Sequence, residues 1–429
     1  MGKFDKAGCF FYQQPESASK KSVLYNEHLK LTNKSRMADF AGYVMPLWYS
    51  SIREEHGAVR SAAGMFDCSH MGILEFSGAA AEGFLNLIAT NDVSRLVCGK
   101  AQYSYILDAA GNILDDIIIY KRGEEVFMVV VNASNEPKIK AYLIALKDGS
   151  AVVDADDAGG KIESWPVIRD MRDAGSDGES RVDIALQGPA SLEVISGMLE
   201  DEVEREKLEK LGKFCFFEAN VGGIDCIVAR TGYTGAKVGF ELYVNPGRAS
   251  ELWGRILGNG EKSGLRACGL GARDSLRIEA GLPLYGHELD GEYGISPFEA
   301  GYGWAVKLDK GFFIGKKAMV ERNESFDMEV CRLELAGEKG VRPVRSGDAV
   351  ISKDGECIGW VLSASKAGER QVALCYINRN SVTEDDIGGV YYLARNKRQV
   401  ESGKREAVNK GEKIEVELSG KIVNRFENF

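Results

Sequence analysis

Short apolar runs rich in β-branched and aromatic residues, separated by turns, dominate residues 101–131. Residues 103–107, 113–120 and 126–131 read as strands, with turns at 108–112 (DAAGN) and 121–125. Together they predict an antiparallel meander. Ahead of it, residues 51–63 (SIREEHGAVRSAA) and 79–91 carry helical patterning. Strand and helix patterns then alternate from 184 to 301, and ARDSLRIEA at 272–280 predicts a short helix stopped by Gly281. The pattern shifts after Ser325. Residues 330–335, 349–351, 357–364, 372–377 and 414–418 predict the short strands of a separate barrel or sandwich. The expected organisation is a polar, loosely ordered segment at 1–23, a mixed α/β (α+β) region at 24–325 and a β-domain at 326–429. Residues 165–181 (WPVIRDMRDAGSDGESR) read as an exposed, turn-rich insertion.

A chain of 429 residues exceeds the ~250–300 at which one core stops growing, which agrees with more than one domain. The 50 glycines are dispersed, so they mark tight turns rather than a linker. A net charge of −10 disfavours a nucleic-acid footprint, and no apolar run is long enough for a membrane helix. The N-terminal residues lack the apolar centre of a secretion signal. The nine cysteines are scattered without a CxxC, as expected of a reducing cytoplasm. With four histidines and no HxxxH or HExxH, no metal site is expected. P-loop, GxSxG and GxGxxG phrases are absent.

Four phrases carry candidate chemistry. In Gly111–Asn112–Ile113–Leu114–Asp115–Asp116, two carboxylates enter an aliphatic strand. Their side chains alternate faces, so they do not form a side-by-side dyad. Both faces are mainly apolar, so at least one carboxylate sits partly desolvated and needs hydrogen bonds or a task. Asn132 ends the partner strand, and its face depends on the register. The phrase Arg230–Thr231–Gly232–Tyr233–Thr234–Gly235 builds a tight loop before Glu241, whose carboxylate can accept two hydrogen bonds from an amino-pyrimidine edge. Arg273 can clamp a carboxylate or serve as a structural ion-pair partner. In Asp67–Cys68–Ser69–His70–Met71, His70 and Met71 read as pocket support.

Together with Met37–Ala38–Asp39–Phe40–Ala41–Gly42, Ala185–Leu186–Gln187–Gly188–Pro189, Leu284–Tyr285–Gly286–His287–Glu288 and Phe313–Ile314–Gly315, these phrases resemble the aminomethyltransferase, or T-protein, family of the glycine cleavage system. The resemblance spans roughly residues 24–378 in the family's order. It implies a three-lobed, cloverleaf-like fold with two lobes in 24–325, a C-terminal β-barrel and a central folate channel. It implies a cytoplasmic enzyme that takes a methylene carbon from the aminomethyl-lipoyl arm of H-protein to tetrahydrofolate, a co-substrate, without a metal. Glycine decarboxylase and dihydrolipoyl dehydrogenase would be its functional associates, with no nucleic acid or membrane partner. Carried over by position, the catalytic carboxylate is Asp115, which requires a register placing Asn132 on its face. Asn132, Glu241 and Arg273 are implied as folate-binding residues, with Tyr103, Tyr233 and Met71 lining the channel. A C-terminal folate-contacting Tyr of some members has no match beyond Phe426 or Phe429. A folate-dependent demethylase of the same fold is the rival reading. A further rival, a non-enzymatic iron–sulfur assembly factor, carries a Cys in a phrase that here reads KGFFIGKK at 310–317.

Overall fold

A computed structural model describes residues 2–4, 8–154, 162–173, 179–337, 340–367, 370–381, 387–423 and 425. Helices and sheets are mixed, and the chain divides into two packing units. The first comprises Met1–Gly232, Ala236–Ala272 and Trp304–Glu321; the second comprises Tyr233–Gly235, Arg273–Gly303 and Arg322–Phe429.

The first unit holds two sheets. One is five-stranded and antiparallel, in the order Val167–Asp170, Gly72–Ser77, Val126–Val131, Ile113–Gly123, Ala101–Leu107. Its last three strands are the expected meander. One face is covered by the helices Ala81–Ile88 and Glu136–Asp148, over a core that includes Phe76, Leu85, Ile117, Ile119, Val129 and Tyr142. Pro137 in the first turn and left-handed Gly149 after the last delimit the second of these helices. The other sheet is six-stranded: Phe216–Asn220, Asp225–Ala229, Gly239–Val244, Val182–Gln187, Ala63–Asp67, Leu265–Cys268. The two sheets meet through Ile73, Tyr120, Met128 and Val130 on one side and Phe216, Ile227 and Tyr243 on the other. The five-stranded sheet is therefore buried on both faces, which explains its nearly continuous apolar strands.

Two expectations change here. Residues 165–173 are not an exposed insertion: Val167–Asp170 pairs with Gly72–Ser77, and the Trp165 ring lies 4.9 Å from Phe84. An aromatic ring that reaches core outweighs the turn-rich composition around it. Of the remainder of that segment, residues 174–178 lie outside the described residues, as do Phe426 and Phe429. Part of the N-terminal segment is likewise held. Phe10–Tyr12 pairs with Gly2–Phe4, and buried Phe10 packs 5.1 Å from Tyr142.

In the second unit six strands close a barrel: Met328–Ala336, Arg370–Asn378, Cys357–Ala367, Ala349–Ile351, Ile387–Tyr391, Leu418–Val423. Closure leaves no unpaired edge, and the interior is filled by Leu333, Val350, Val361, Ala373, Ile377 and Ile422. The strand expected at 414–418 instead runs from Leu418 to Val423. Ile387–Tyr391 was not expected, because Gly388 and Gly389 break its apolar pattern. A Cβ on Gly389 would collide with the Leu418 carbonyl, so the close strand approach needs glycine there. Among the described residues no helix is long and apolar enough to cross a membrane.

A buried triad ties the first unit together. Asp67 Oδ2 meets His28 Nε2 at 2.8 Å, and His28 Nδ1 meets the Tyr49 hydroxyl at 2.8 Å. Burial alone would push the Asp67 carboxyl up, but the hydrogen bond and charge of His28 outweigh it and hold the carboxyl at about 2. The folded value lies below the unfolded one of ~3.9, so this stabilisation is full above that value and is lost as pH falls through about 2. Asp67→Asn is expected to cost about 3 kcal/mol, as for breaking a buried pair. Urea melts at pH 7 and pH 3 check it: the difference between variant and wild type must shrink at the lower pH.

Candidate active site

The strand Ile113–Gly123 carries the site. Leu114 is bulged, unpaired between Ile113 opposite Leu107 and Asp115 opposite Ile106, and the bulge turns it towards the helix-side core. From Asp115 onward the faces alternate regularly. Asp115 lies with Ile117 and Ile119 on the helix side, whereas Asp116 lies with Ile118 and Tyr120 on the face that meets the second sheet.

Asp115 has no exposed surface. Its Oδ2 accepts the Asn132 backbone N–H at 2.9 Å, and its Oδ1 accepts the side-chain amides of Asn132 at 2.8 Å and Asn135 at 2.6 Å. Asp116 is partly exposed. Its Oδ2 accepts the Tyr103 hydroxyl at 2.9 Å, and its Oδ1 accepts Asn132 Nδ2 at 2.9 Å. The carboxylates point to opposite faces as alternation requires, yet they are not independent. Asn132 sits at the end of Val126–Val131, where its amide reaches round the strand to both. Burial first, and then the charge of Asp116, pushes the Asp115 carboxyl up to about 7 against the pull of the two asparagine amides. Burial also raises Asp116, opposed by Tyr103 and Asn132.

Four residues along from Asp116, on its face, Tyr120 extends the site into the second sheet. Its hydroxyl lies 2.9 Å from that of Tyr243 and 3.5 Å from Glu241 Oε2. The Thr231 hydroxyl donates a short hydrogen bond to the same Oε2, and Tyr243 reaches it at 3.5 Å. Burial and the charge of Glu241 raise both tyrosines well above their ordinary range, so they act as neutral donors. Gln187 holds this corner, its amide donating to the carbonyls of Thr231 at 3.2 Å and Phe240 at 3.3 Å. Met71 is half-buried against the same inter-sheet cluster. Tyr103 is packed between Tyr105 at 5.2 Å and Trp304 at 5.9 Å, and Trp304 is 53% exposed.

In the second unit, the Arg273 guanidinium lies over the Tyr233 ring at 5.2 Å, and the Tyr233 hydroxyl donates to the Pro283 carbonyl. One turn along the same helix, Arg277 is 1% exposed and binds Glu288 at 2.6 Å, Asp274 at 2.8 Å and Ser363 at 3.0 Å. Among the described residues no group of His, Cys, Asp or Glu is placed to hold a metal ion.

The structure thus gathers Asp115, Asp116, Asn132 and Tyr103 into one hydrogen-bonded group, and places Glu241 on the facing sheet behind Tyr120. Within the second unit, Arg273 and Tyr233 form a stacked pair. Sequence reasoning missed Asn135, Tyr120, Tyr243 and Trp304. Tyr120 and Tyr243 were signalled by even spacing from Asp116 and Glu241; Asn135 and Trp304 were not.

The GCVT N-terminal domain family model matches residues 24–310. An aminomethyltransferase of Desulforamulus reducens is 38% identical over 349 residues, covering 81% of this chain and 86% of its own. One from Alkaliphilus metalliredigens is 35% identical over 387 residues, covering 90% and 95%. The crystal structure of the glycine cleavage system aminomethyltransferase T from Bartonella henselae superposes with a TM-score of 0.72 at 27% identity, covering 95% of this chain and 97% of that one.

The Gln187 corner has a direct test. A Cβ on Gly232 would collide with the Gln187 amide, and one on Gly239 would come within 2.6 Å of it. Gly232→Ala is expected to lower stability by about 1–3 kcal/mol, the scale of overpacking. Thermal melts of Gly232→Ala, Gln187→Ala and the double variant check this, because the double variant must lose less than the sum of the singles.

Proposed function

Since the chain belongs to the GCVT family of aminomethyltransferases, we propose that it transfers the methylene carbon of an aminomethyl group on the lipoyl arm of H-protein to tetrahydrofolate. The carrier thioether R–S–CH2–NH2 and the two folate N–H groups give a methylene bridge between the folate nitrogens, ammonia and the R–SH thiol. The two folate protons end on nitrogen and sulfur, so the enzyme must take up a proton and return it. The reacting carbon is already activated as an aminal-like centre, so neither a strong nucleophile nor a metal is required.

The observation that carries this reading is Asp116 beside Tyr103, on the sheet face that also approaches Glu241. The family resemblance carries the catalytic role to Asp115. We assign proton transfer to Asp116 instead. Asp115 is sealed on the helix side with both oxygens taken by N–H donors, whereas Asp116 is partly exposed on the face of Tyr103 and Tyr120. A group that exchanges protons with a substrate must be reachable by it. Among the described residues, the three hydroxyls on Glu241 all end on Oε2. That arrangement suits Oε1 to an amino-pyrimidine edge. Asn132, Tyr103 and Met71 belong to this proposed folate-binding set, and Arg273 and Tyr233 remain proposed folate contacts. H-protein is the proposed partner, with glycine decarboxylase and dihydrolipoyl dehydrogenase as functional associates in a cytoplasmic system.

The test is ammonia release from aminomethyl-loaded, lipoylated H-protein with tetrahydrofolate. Asp116→Asn should lower turnover by roughly 10²-fold, the scale of losing an acid–base group, with little change in folate affinity. Asp115→Asn should chiefly lower the melting temperature, because its amide would confront those of Asn132 and Asn135. A folded, inactive Asp115→Asn beside an active Asp116→Asn would reverse the assignment. Proton uptake needs an ionised carboxylate, and burial raises the Asp116 carboxyl, so turnover should be lost at a pH above the ordinary carboxylate range. Tetrahydrofolate at 100 times its Kd should stabilise the chain by about 2.7 kcal/mol, with a chelator present. A melting temperature unmoved at saturating folate would count against the site.

A further inference from the structure

Asn135 immediately precedes the helix Glu136–Asp148. Asparagine at this position ordinarily accepts a hydrogen bond from the second or third backbone N–H of the helix. Here its side chain makes no capping bond. Its Nδ2 instead donates to Asp115 Oδ1 at 2.6 Å, in a setting where the residue is only 4% exposed. Its backbone N–H donates to the Asn132 carbonyl at 2.9 Å. The short turn between strand and helix is therefore fastened at both ends to one carboxylate, by Asn132 from the strand and by Asn135 from the helix.

This arrangement fixes Asn132 as well. Its Nδ2 is shared between Asp115 Oδ1 and Asp116 Oδ1, so the aim of that amide at Asp116 depends on where Asp115 is held. We propose that Asn135 is a positioning residue for the transfer reaction: by holding Asp115 Oδ1 it aims the Asn132 amide at Asp116 and sets which carboxylate of the pair keeps a proton. The inference rests on the aminomethyl-transfer reading and deepens it.

The charged groups around the pair give the effect its sign. Asp116, on the same strand, opposes ionisation of Asp115, and Lys138 on the helix favours it. Tyr103, from the neighbouring strand, donates to Asp116. Glu136 follows Asn135 but is paired with Lys140 at 2.5 Å and with Arg172. Taking away the Asn135 donor leaves Asp116's repulsion in place and removes one opposing hydrogen bond. The Asp115 titration must then move to higher pH, and a neutral Asp115 no longer repels the charge on Asp116.

Two variants of the full chain separate positioning from helix capping. Asn135→Ala removes the donor. Asn135→Asp keeps the shape and is a good capping residue, but replaces the donor with a third carboxylate. Carbon-13 NMR of carboxyl-labelled aspartates follows the titration without reference to activity. The expected result is an upward move of the elevated titration by about one pH unit in Asn135→Ala and further in Asn135→Asp. Turnover at pH 7 should fall several-fold in both, because the Asn132 amide loses its aim at Asp116, and KM for folate should stay nearly unchanged. If both variants titrate like the wild type, or if Asn135→Asp alone does so while keeping its melting temperature, Asn135 is a helix-end residue and the inference fails. If the wild type releases no ammonia, the functional reading fails, while the titrations still decide whether Asn135 governs the pair.

Discussion

Two adjacent carboxylates on one sheet strand need N–H donors wherever water is excluded, and that need organises the first unit. Asp115 faces a core of isoleucine, phenylalanine and tyrosine, where an unpaired carboxylate would be prohibitively costly. All its donors come from the four residues between Val126–Val131 and the following helix. The carboxylate thus dictates where the strand ends, where the helix begins and why the helix starts without a side-chain cap. Asp116 adds a repulsion that the shared Asn132 amide moderates but does not remove. Two carboxyls so close do not ionise independently. The same group that constrains the backbone is therefore a proton store on the path of the proposed reaction.

The sheet-on-sheet arrangement determines what this store can serve. Strand alternation carries Asp116, Ile118 and Tyr120 onto the face that meets the second sheet, and Tyr120 ends among the hydroxyls around Glu241. Glu241 is held there by Thr231, Tyr120 and Tyr243, with Gln187 bracing the loop that brings Thr231 in. Neutral hydroxyls orient a carboxylate without neutralising it. A salt bridge to arginine would have used the acceptor capacity that a ligand's amino groups require.

Much of this was legible from the chain, and the exceptions have physical causes. The meander followed from its apolar runs and turns, and the C-terminal β-domain from regularly spaced short strands. The edge strand Val167–Asp170 stayed hidden because its turn-rich surroundings masked the anchoring effect of Trp165. The barrel strand Ile387–Tyr391 stayed hidden because its two glycines serve close strand approach and weaken any propensity signal. In the site, the types of residue were readable but their facing was not. Alternation places Asp115 and Asp116 on opposite sides, yet only the register and the cover on each face decide which side is sealed. The irregular turn at 121–125, with its register shift at Val126/Phe127, kept that register out of reach of the sequence. Asn135 was hidden for a different reason: its type and position announce a helix cap, and only tertiary structure shows that its amide is used elsewhere.

Arg273 and Arg277 make the same point within the second unit. They lie one turn apart on one helix, and sequence offers no reason to treat them differently. Arg277 is wrapped by Glu288, Asp274 and Ser363, so its charge is already paired with carboxylates. It pins the helix inside its unit. Arg273 instead lies over the Tyr233 ring. A guanidinium over an aromatic face gains a cation–π attraction. Position on the helix is shared, and what separates the two arginines is what surrounds each: a set of acceptors for Arg277 and an aromatic face for Arg273.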